Sequence, residues 1–565
     1  MSALYDIVRK SITILVTENS WILISCTREF DIYLQKAEGV LPMKKLPIGI
    51  QSFRKIRESD YLYADKTKYV YNLIQSEGSI FLSRPRRFGK SLLISTLEEL
   101  FLGNQKLFEG LWIDSCGYDY PFHPVIRLDM SMFISEGLEG FRRDLLLELK
   151  HLATKEDLSL SDASPGAILR NLIRDMSNKY GKRVVVLIDE YDKPILDNLL
   201  TGAAIEMRNE LRNLLGVLKS ADEYLRFVFM TGVSKFSKTS IFSGANQFTD
   251  ITLHPDCANI CGFTVKEMEE LFSWQLGQDD SARSQLIQQI LKWYDGYSWD
   301  GSSFLLNPFS LLRYFQRGQF RAFWYNSGTP KFLLDLIKSD PLQYTMQEPF
   351  EITEDNLDAM DIDRLSLIPL LFQTGYLTIS EQLDEFGSYR LRIPNFEVNK
   401  AFHTHLLSAL AKLTDGETQK ISHNIIRAFQ SGELEKLQPL LVSLFSSIPY
   451  QLHIDAESYY HSIFYVLLKL LGAHIHAEIS VGLGRADVIL ETHETVYVME
   501  WKYCKCDVKA TSDKKRAVLE SAIEEAREQI SSKGYSKPYL ASGKSVIEVG
   551  IAVAARTDVL VHVFQ

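Results

Sequence analysis

One stretch restricts the fold more than any other: Ser79-Ile80-Phe81-Leu82-Ser83-Arg84-Pro85-Arg86-Arg87-Phe88-Gly89-Lys90-Ser91-Leu92-Leu93. A short apolar run enters a basic turn, then Gly-Lys-Ser, then an apolar pattern of helical period. The pattern predicts a strand, a loop and a helix that begins near Lys90 and Ser91. A helix N-terminus leaves N–H groups unpaired and carries the positive end of the dipole, so it suits phosphate. In that arrangement Lys90 reaches the terminal phosphates and the Ser91 hydroxyl holds Mg²⁺. One position departs from the usual phosphate loop. A glycine is expected five residues before Gly89, and Arg84 stands there.

A second strand is written in Arg183-Val184-Val185-Val186-Leu187-Ile188-Asp189-Glu190-Tyr191-Asp192. Five aliphatic residues in a row mark a strand buried on both faces, as in a parallel sheet covered by helices. Asp189 and Glu190 end it on the side where ligands bind in open α/β sheets. A nucleotide site needs such a pair: Asp189 to hold Mg²⁺, and Glu190 to orient the attacking water. A third strand, Leu225 to Lys235, ends in the polar residues Thr231 and Ser234. Thr231 is read as a γ-phosphate sensor, against the plainer reading of a hydroxyl that caps its strand. Val125 to Asp129 adds a further strand, with helices expected over 141–152 and 167–176.

At 565 residues the chain exceeds one core and calls for several domains. The net charge of −10 argues against a uniformly basic nucleic-acid coat and leaves room for a local basic groove. Six sparse cysteines fit a reducing compartment better than a disulfide scaffold, and their spacing completes no metal site. No stretch has the ~18 apolar residues of a membrane span. Leu23-Ile24-Ser25-Cys26 looks like a lipoprotein cleavage site, but Glu18, Asn19 and Ser20 interrupt the apolar core it would need. The expectation is a cytoplasmic protein with no membrane partner. Residues 1–44 are expected to be an extension containing a strand or helix.

The C-terminal 115 or so residues hold a second constellation. A helix is expected from Ala456 to Leu471, with Glu457 in its first turn, then strands near 474–481 and 486–490, the latter containing Asp487. The strand Thr495 to Lys502 is apolar until its end, and alternation puts Val496, Val498, Glu500 and Lys502 on one face. A carboxylate and an ammonium then project side by side. Metal-dependent phosphodiester cleavage needs two carboxylates for a hard divalent cation and a lysine to position water and offset phosphate charge. The plain alternative is a surface strand that ends in a Glu/Lys pair.

These stretches carry two resemblances. Residues 46–253 resemble the ATPase domain of a bacterial family of AAA-like P-loop proteins. The likeness rests on Pro47-Ile48-Gly49, Tyr63-Ala64-Asp65-Lys66-Thr67, the arginine-rich loop, Ile188-Asp189-Glu190-Tyr191-Asp192 and Thr231-Gly232-Val233-Ser234-Lys235. In that family the arginine-rich loop is the usual form. Residues 254–400 continue the likeness through Trp293-Tyr294-Asp295-Gly296-Tyr297, Leu306-Asn307-Pro308-Phe309 and Trp324 to Pro330. They read as a helical lid with winged-helix-like units, whose aromatics are packing residues more readily than a stacking platform for single strands. Asp487 followed by Glu500-Trp501-Lys502 resembles the PD-(D/E)XK nuclease superfamily, with Glu457 matching its helix acid. Tyr460-His461 and Gln529 match the subgroup fused to such ATPases.

The expected architecture is α/β: an extension (1–44), a P-loop ATPase domain (45–254), a helical lid and linker (255–450) and a restriction-endonuclease-like domain (451–565). The resemblance implies ATP and Mg²⁺ at Gly89, Lys90, Ser91, Asp189 and Thr231. It implies Mg²⁺ or Mn²⁺ at Asp487 and Glu500, with Glu457 and Lys502 completing the catalytic set; the expected substrate is DNA ahead of RNA. Arg84, Arg86 and Arg87 are left as contacts to phosphate, to acidic neighbours or to a second subunit of a homo-oligomer. The competing reading is a nucleotide-controlled switch that holds nucleic acid or protein without catalysis.

Overall fold

The computed structural model describes residues 12–17, 20–26, 44–75, 78–133, 137–159, 163–199, 202–236, 247–324, 333, 350–358, 366–411, 413–447, 463, 466–467, 469–470, 478–480, 488–491, 494–555 and 557–564. In the N-terminal extension, β1 (Ile12–Thr17) and β2 (Ser20–Cys26) pair as an antiparallel hairpin.

The ATPase sheet is built from β3 (Gly78–Ser83), β4 (Val125–Asp129), β5 (Val184–Asp189), β6 (Leu225–Gly232) and β7 (Phe248–Asp250). Their order is β4-β5-β6-β3-β7, with every pairing parallel. Every residue of β5 is buried, which is why it reads as an unbroken aliphatic run. Helix α1 (Lys90–Phe101) leaves β3, α2 (Gly137–Lys155) and α3 (Pro165–Tyr180) link β4 to β5, and α4 (Ala204–Ser220) links β5 to β6. Because β6 lies between β3 and β5, the carboxyl ends of three strands meet at one edge. Ser83 pairs with Gly232 there, and Ile188 with Met230.

The middle region has its own apolar cluster, including Phe263, Phe272, Ile290, Tyr294, Leu306 and Leu311, which gathers around helix α5 (Pro308–Arg317) and its neighbours. A three-stranded antiparallel sheet follows, β8 (Phe350–Thr353), β9 (Thr378–Gln382) and β10 (Ser388–Arg392), in the order β8-β10-β9. Strands β9 and β10 form a hairpin. Asp384 Oδ1 accepts the Phe386 and Ser388 N–H groups at 2.9 and 3.0 Å, closing the turn between β9 and β10. Tyr294, Tyr297 and Trp324 are buried, so these aromatics pack the interior. His403, on α6 (Phe396–Ala411), is buried, bonds the Asn399 carbonyl and is pushed down to about 4 by burial.

The C-terminal sheet has the order β11 (Glu478–Ser480), β12 (Val488–Glu491), β13 (Thr495–Cys504), β14 (Ser545–Ala554), β15 (Asp558–Phe564). Only β13 and β14 run parallel; the other pairs are antiparallel. Helices α7 (Asp415–Ser431) and α8 (Leu437–Ser446) pack on one face, where the rings of Phe429 and Tyr497 lie 5.1 Å apart and those of Phe445 and Trp501 6.0 Å apart. Helix α9 (Ser512–Lys533) covers the other face, with Ile530 clustered against Val496 and Val498. Two covered faces explain why β13 is nearly all apolar instead of alternating. The helices at 415–446, which carried no readable chemistry, are therefore a layer of the C-terminal unit.

Candidate functional site

Gly89 caps α1 at φ 97°, a left-handed conformation that a side chain would strain, and Lys90 is the first helical residue. The Lys90 ammonium is buried and donates to the carbonyls of Arg84 and Pro85 at 2.8 and 3.0 Å. Burial pulls it below its ordinary range, and Glu190, Asp189 and Asp192 oppose that pull. Ser91 is partly exposed beside it.

Arg84 points into the protein, towards backbone carbonyls. It is wholly buried, and its guanidinium donates to the carbonyls of Ser83 (2.8 Å), Thr252 (2.9 Å) and Cys257 (3.2 Å). It also stacks over the Trp299 ring at 4.1 Å, and burial brings it down to about 10. The arginine that replaces a loop glycine is a staple that fastens the loop to the segment after β7 and to the middle region. Neighbouring contacts extend the clamp. Phe88 packs on Tyr297 and Trp299 at 4.7 and 5.3 Å, and the Trp324 indole N–H donates to the Arg86 carbonyl at 3.0 Å. Arg87 is exposed, with its guanidinium 5.2 Å from the Phe309 ring.

Asp189 and Thr231 meet across the sheet, the Thr231 hydroxyl donating to Asp189 Oδ1 at 2.8 Å. Both are buried, so Thr231 holds the carboxylate and does not stand open at the strand end. Glu190 follows at φ 50° and lines a cavity with Gly89, Lys90 and Ser91. Two residues of this motif have roles that the spacing did not reveal. Asp192 accepts the N–H groups of Val233 (3.0 Å) and Ser234 (2.6 Å), and Tyr191 donates its hydroxyl to the Ser234 carbonyl at 3.0 Å. Together they fix the chain as it leaves β6. A Cβ on Gly232 would lie 2.7 Å from both side chains, so only glycine permits that approach.

The cavity beside the loop has a volume of about 370 Å³. Pro47, Ile50, Leu62, Phe263, Phe309 and Leu312 supply apolar walls, while Lys90, Ser91 and Glu190 supply polar ends. Lys66 also lines it and pairs with Glu267 at 2.7 Å, tying the segment before the phosphate-loop strand to the middle region. An apolar chamber next to a helix N-terminus suits a nucleotide, whose base and phosphates make opposite demands. The Ser91 hydroxyl and the Asp189 carboxylate are hard oxygen donors of the kind Mg²⁺ takes.

In the C-terminal unit, Glu500 is buried near the end of β13, its side chain fully covered. Lys502 lies on the same face, and its ammonium contacts Glu500 Oε1 at 3.1 Å and Gln529 Oε1 at 2.6 Å. Gln529 comes from α9, so the crossover helix supplies part of the site. Strand β12 begins at Val488, opposite Met499, the residue before Glu500. Asp487, Glu457, Tyr460 and His461 lie outside the described residues. Among the described residues no group of three or more His, Cys, Asp or Glu is placed to hold a metal. A buried carboxylate paired with an ammonium fits one half of a divalent-cation site.

Comparison with known proteins identifies the two domains. Residues 47–242 match a family described as "Predicted AAA-ATPase", and residues 455–563 match the PD-(D/E)XK nuclease superfamily. Two solved structures from Aeropyrum pernix align over 62% of this chain: the ORC2 protein in ADPNP–ADP complexes (12% identity, 98% of that chain, TM-score 0.26) and the ORC1 protein in complex with DNA (10% identity, 95% of that chain, TM-score 0.26). At those scores neither bears on function. A protein of Azotobacter chroococcum mcd 1, described as "Uncharacterized protein in vnfD 5'region", is 36% identical over 523 residues, covering 90% of this chain and 96% of that one. The chain belongs to the family of that Azotobacter protein, and in it an AAA-like P-loop ATPase domain is fused to a C-terminal PD-(D/E)XK nuclease-superfamily domain.

Proposed function

We propose that this protein is an ATP-dependent nuclease in which ATP, bound with Mg²⁺ at the phosphate loop, governs metal-dependent cleavage of DNA by the C-terminal domain. The observation that carries the reading is the Glu500–Lys502–Gln529 arrangement, a buried carboxylate and an oriented ammonium at the end of a core strand. At the nucleotide site Lys90 would bind the β- and γ-phosphates, and Ser91 and Asp189 would hold Mg²⁺. Thr231 keeps Asp189 in place, and Glu190 orients water for hydrolysis. At the second site Glu500 and Asp487 would hold Mg²⁺ or Mn²⁺. A divalent cation bound there supplies Lewis-acid activation of water and of the scissile phosphate. Lys502 offsets charge on that phosphate, and Glu457 contributes the helix acid.

A second reading is a nucleotide-controlled binding switch without catalysis. It is favoured by the clamp of Trp299, Tyr297 and Trp324 on the phosphate loop, through which nucleotide occupancy would move the middle region. The two readings separate in one experiment. Wild type, Lys90→Ala and Glu500→Ala are assayed for ATP hydrolysis and for cleavage of labelled DNA with Mg²⁺ or Mn²⁺. The nuclease reading expects Lys90→Ala to lose ATP hydrolysis and Glu500→Ala to lose cleavage alone. DNA binding by wild type with neither reaction supports the switch.

A further inference from the structure

Between Lys502 and Arg516 this acidic chain, of net charge −10, carries six basic residues against two acidic ones. The stretch begins at the site lysine itself. It runs off the end of β13, turns, and enters α9 at Ser512. Two of its charges are committed: Lys515 pairs with Asp558 at 3.1 Å and Arg516 with Glu520 at 2.8 Å. Lys505, Lys509 and Lys514 are exposed, and none has an ion-pair partner among the described residues.

The turn that carries them has a defined backbone. Asp507 accepts the Lys509 N–H at 2.9 Å through its side chain and the Ala510 N–H at 2.9 Å through its carbonyl. Thr511 caps α9 by accepting the Lys514 N–H at 3.4 Å. Three exposed ammonium groups thus follow Glu500 and Lys502 along the chain, the last of them in the first turn of a 22-residue helix. A lone small anion would use one of them. Three in a row match a polymer with repeated phosphates, and continuity with the Glu500–Lys502 pair matches a phosphodiester backbone rather than a lipid surface.

We infer that Lys505, Lys509 and Lys514 form a strip that binds the nucleic-acid backbone and leads it to Glu500 and Lys502. The inference rests on the function proposed above for that pair, and it is tested by binding rather than cutting. The full chain and its Lys505→Glu/Lys509→Glu/Lys514→Glu variant are titrated with fluorescent duplex DNA in EDTA, between 50 and 200 mM salt. Each lost phosphate contact removes about 0.9 from the slope of log affinity against log salt for a duplex. The strip predicts a slope shallower by about 2 to 3 in the variant, with ATP affinity and melting temperature unchanged. An unchanged slope, or a wild type that binds no DNA at any salt, overturns the inference. So does a variant that keeps DNA binding and loses sedimentation with phosphatidylserine vesicles, which would make the strip a membrane surface. If the slope falls as expected and wild type still cuts nothing when metal is supplied, the strip stands and the nuclease reading falls.

Discussion

Thr231 at the end of β6 and Asp189 at the end of β5 are joined by a 2.8 Å hydrogen bond inside the sheet. Asp189 also accepts the Glu190 N–H, at 3.1 Å, so the same carboxylate oxygen orders the turn that carries Glu190. One hydroxyl therefore supports both acidic residues of the nucleotide site. Thr231→Val keeps the shape and removes the donor. It should cost about 1 to 3 kcal/mol of stability, because the buried carboxylate is left short of a partner. ATP hydrolysis should fall more than ATP affinity, which steady-state kinetics and nucleotide titration distinguish.

Arg84 offers a test of opposite sense. If the loop wanted a glycine there, Arg84→Gly would improve nucleotide binding. The buried guanidinium instead satisfies three carbonyls and stacks on Trp299, so its removal should destabilise the protein by about 3 kcal/mol or more. Urea denaturation followed by tryptophan fluorescence measures this, and nucleotide affinity should fall with the loss of the loop's shape.

Asp192 makes stability depend on pH. Burial pushes it up to about 6, opposed by the Ser234 N–H, by Lys90 and by the Val233 N–H, while Glu190 adds to the rise. An acid raised in the folded state contributes stability that is complete below its unfolded value and is lost as pH rises through its folded value. Between pH 7 and pH 5 wild type should therefore gain about 1 kcal/mol relative to Asp192→Asn. Denaturation of both proteins at the two pH values gives the difference, and a gap that does not change with pH would contradict the assignment.

Much of this architecture was legible because burial leaves a local signature. The run Val184 to Ile188 reads as a strand since both of its faces are covered, and Gly-Lys-Ser marks the start of α1 since a phosphate loop ends in that triplet where its helix begins. Glu500 and Lys502 fall on one face through simple alternation, and the structure brings them within 3.1 Å. What stayed hidden depends on partners far along the chain. Arg84 could be given no single partner because Thr252, 168 residues away, leaves no trace near it. Trp324 reaches Arg86 across 238 residues, and no pattern in either segment announces the contact. Asp192 lay in plain view inside a recognised motif, but its work is to cap the backbone after β6, which only the pairing of β5 with β6 explains.

Gln529 should act as a positioning residue for Lys502. Gln529→Leu removes the 2.6 Å acceptor and leaves the ammonium to Glu500 alone. Under the proposed function, cleavage should fall by about 10- to 100-fold, the usual effect of losing an outer partner of a metal site. DNA affinity in EDTA should hold, and kcat should fall while KM stays in place. A purely structural role would lower the melting temperature and leave kcat per folded molecule in place.

The central claim is that the chemistry takes place at Glu500, far from the loop around which the ATPase domain is built. Its most direct test is metal-dependent cleavage of labelled DNA by wild type and by Glu500→Ala, with ATP affinity measured on the same preparations. The account predicts cutting by wild type with Mg²⁺ or Mn²⁺, none by the variant, and equal ATP affinity in both. Cleavage that survives Glu500→Ala, or its absence from wild type across duplex and single-stranded substrates, would contradict it.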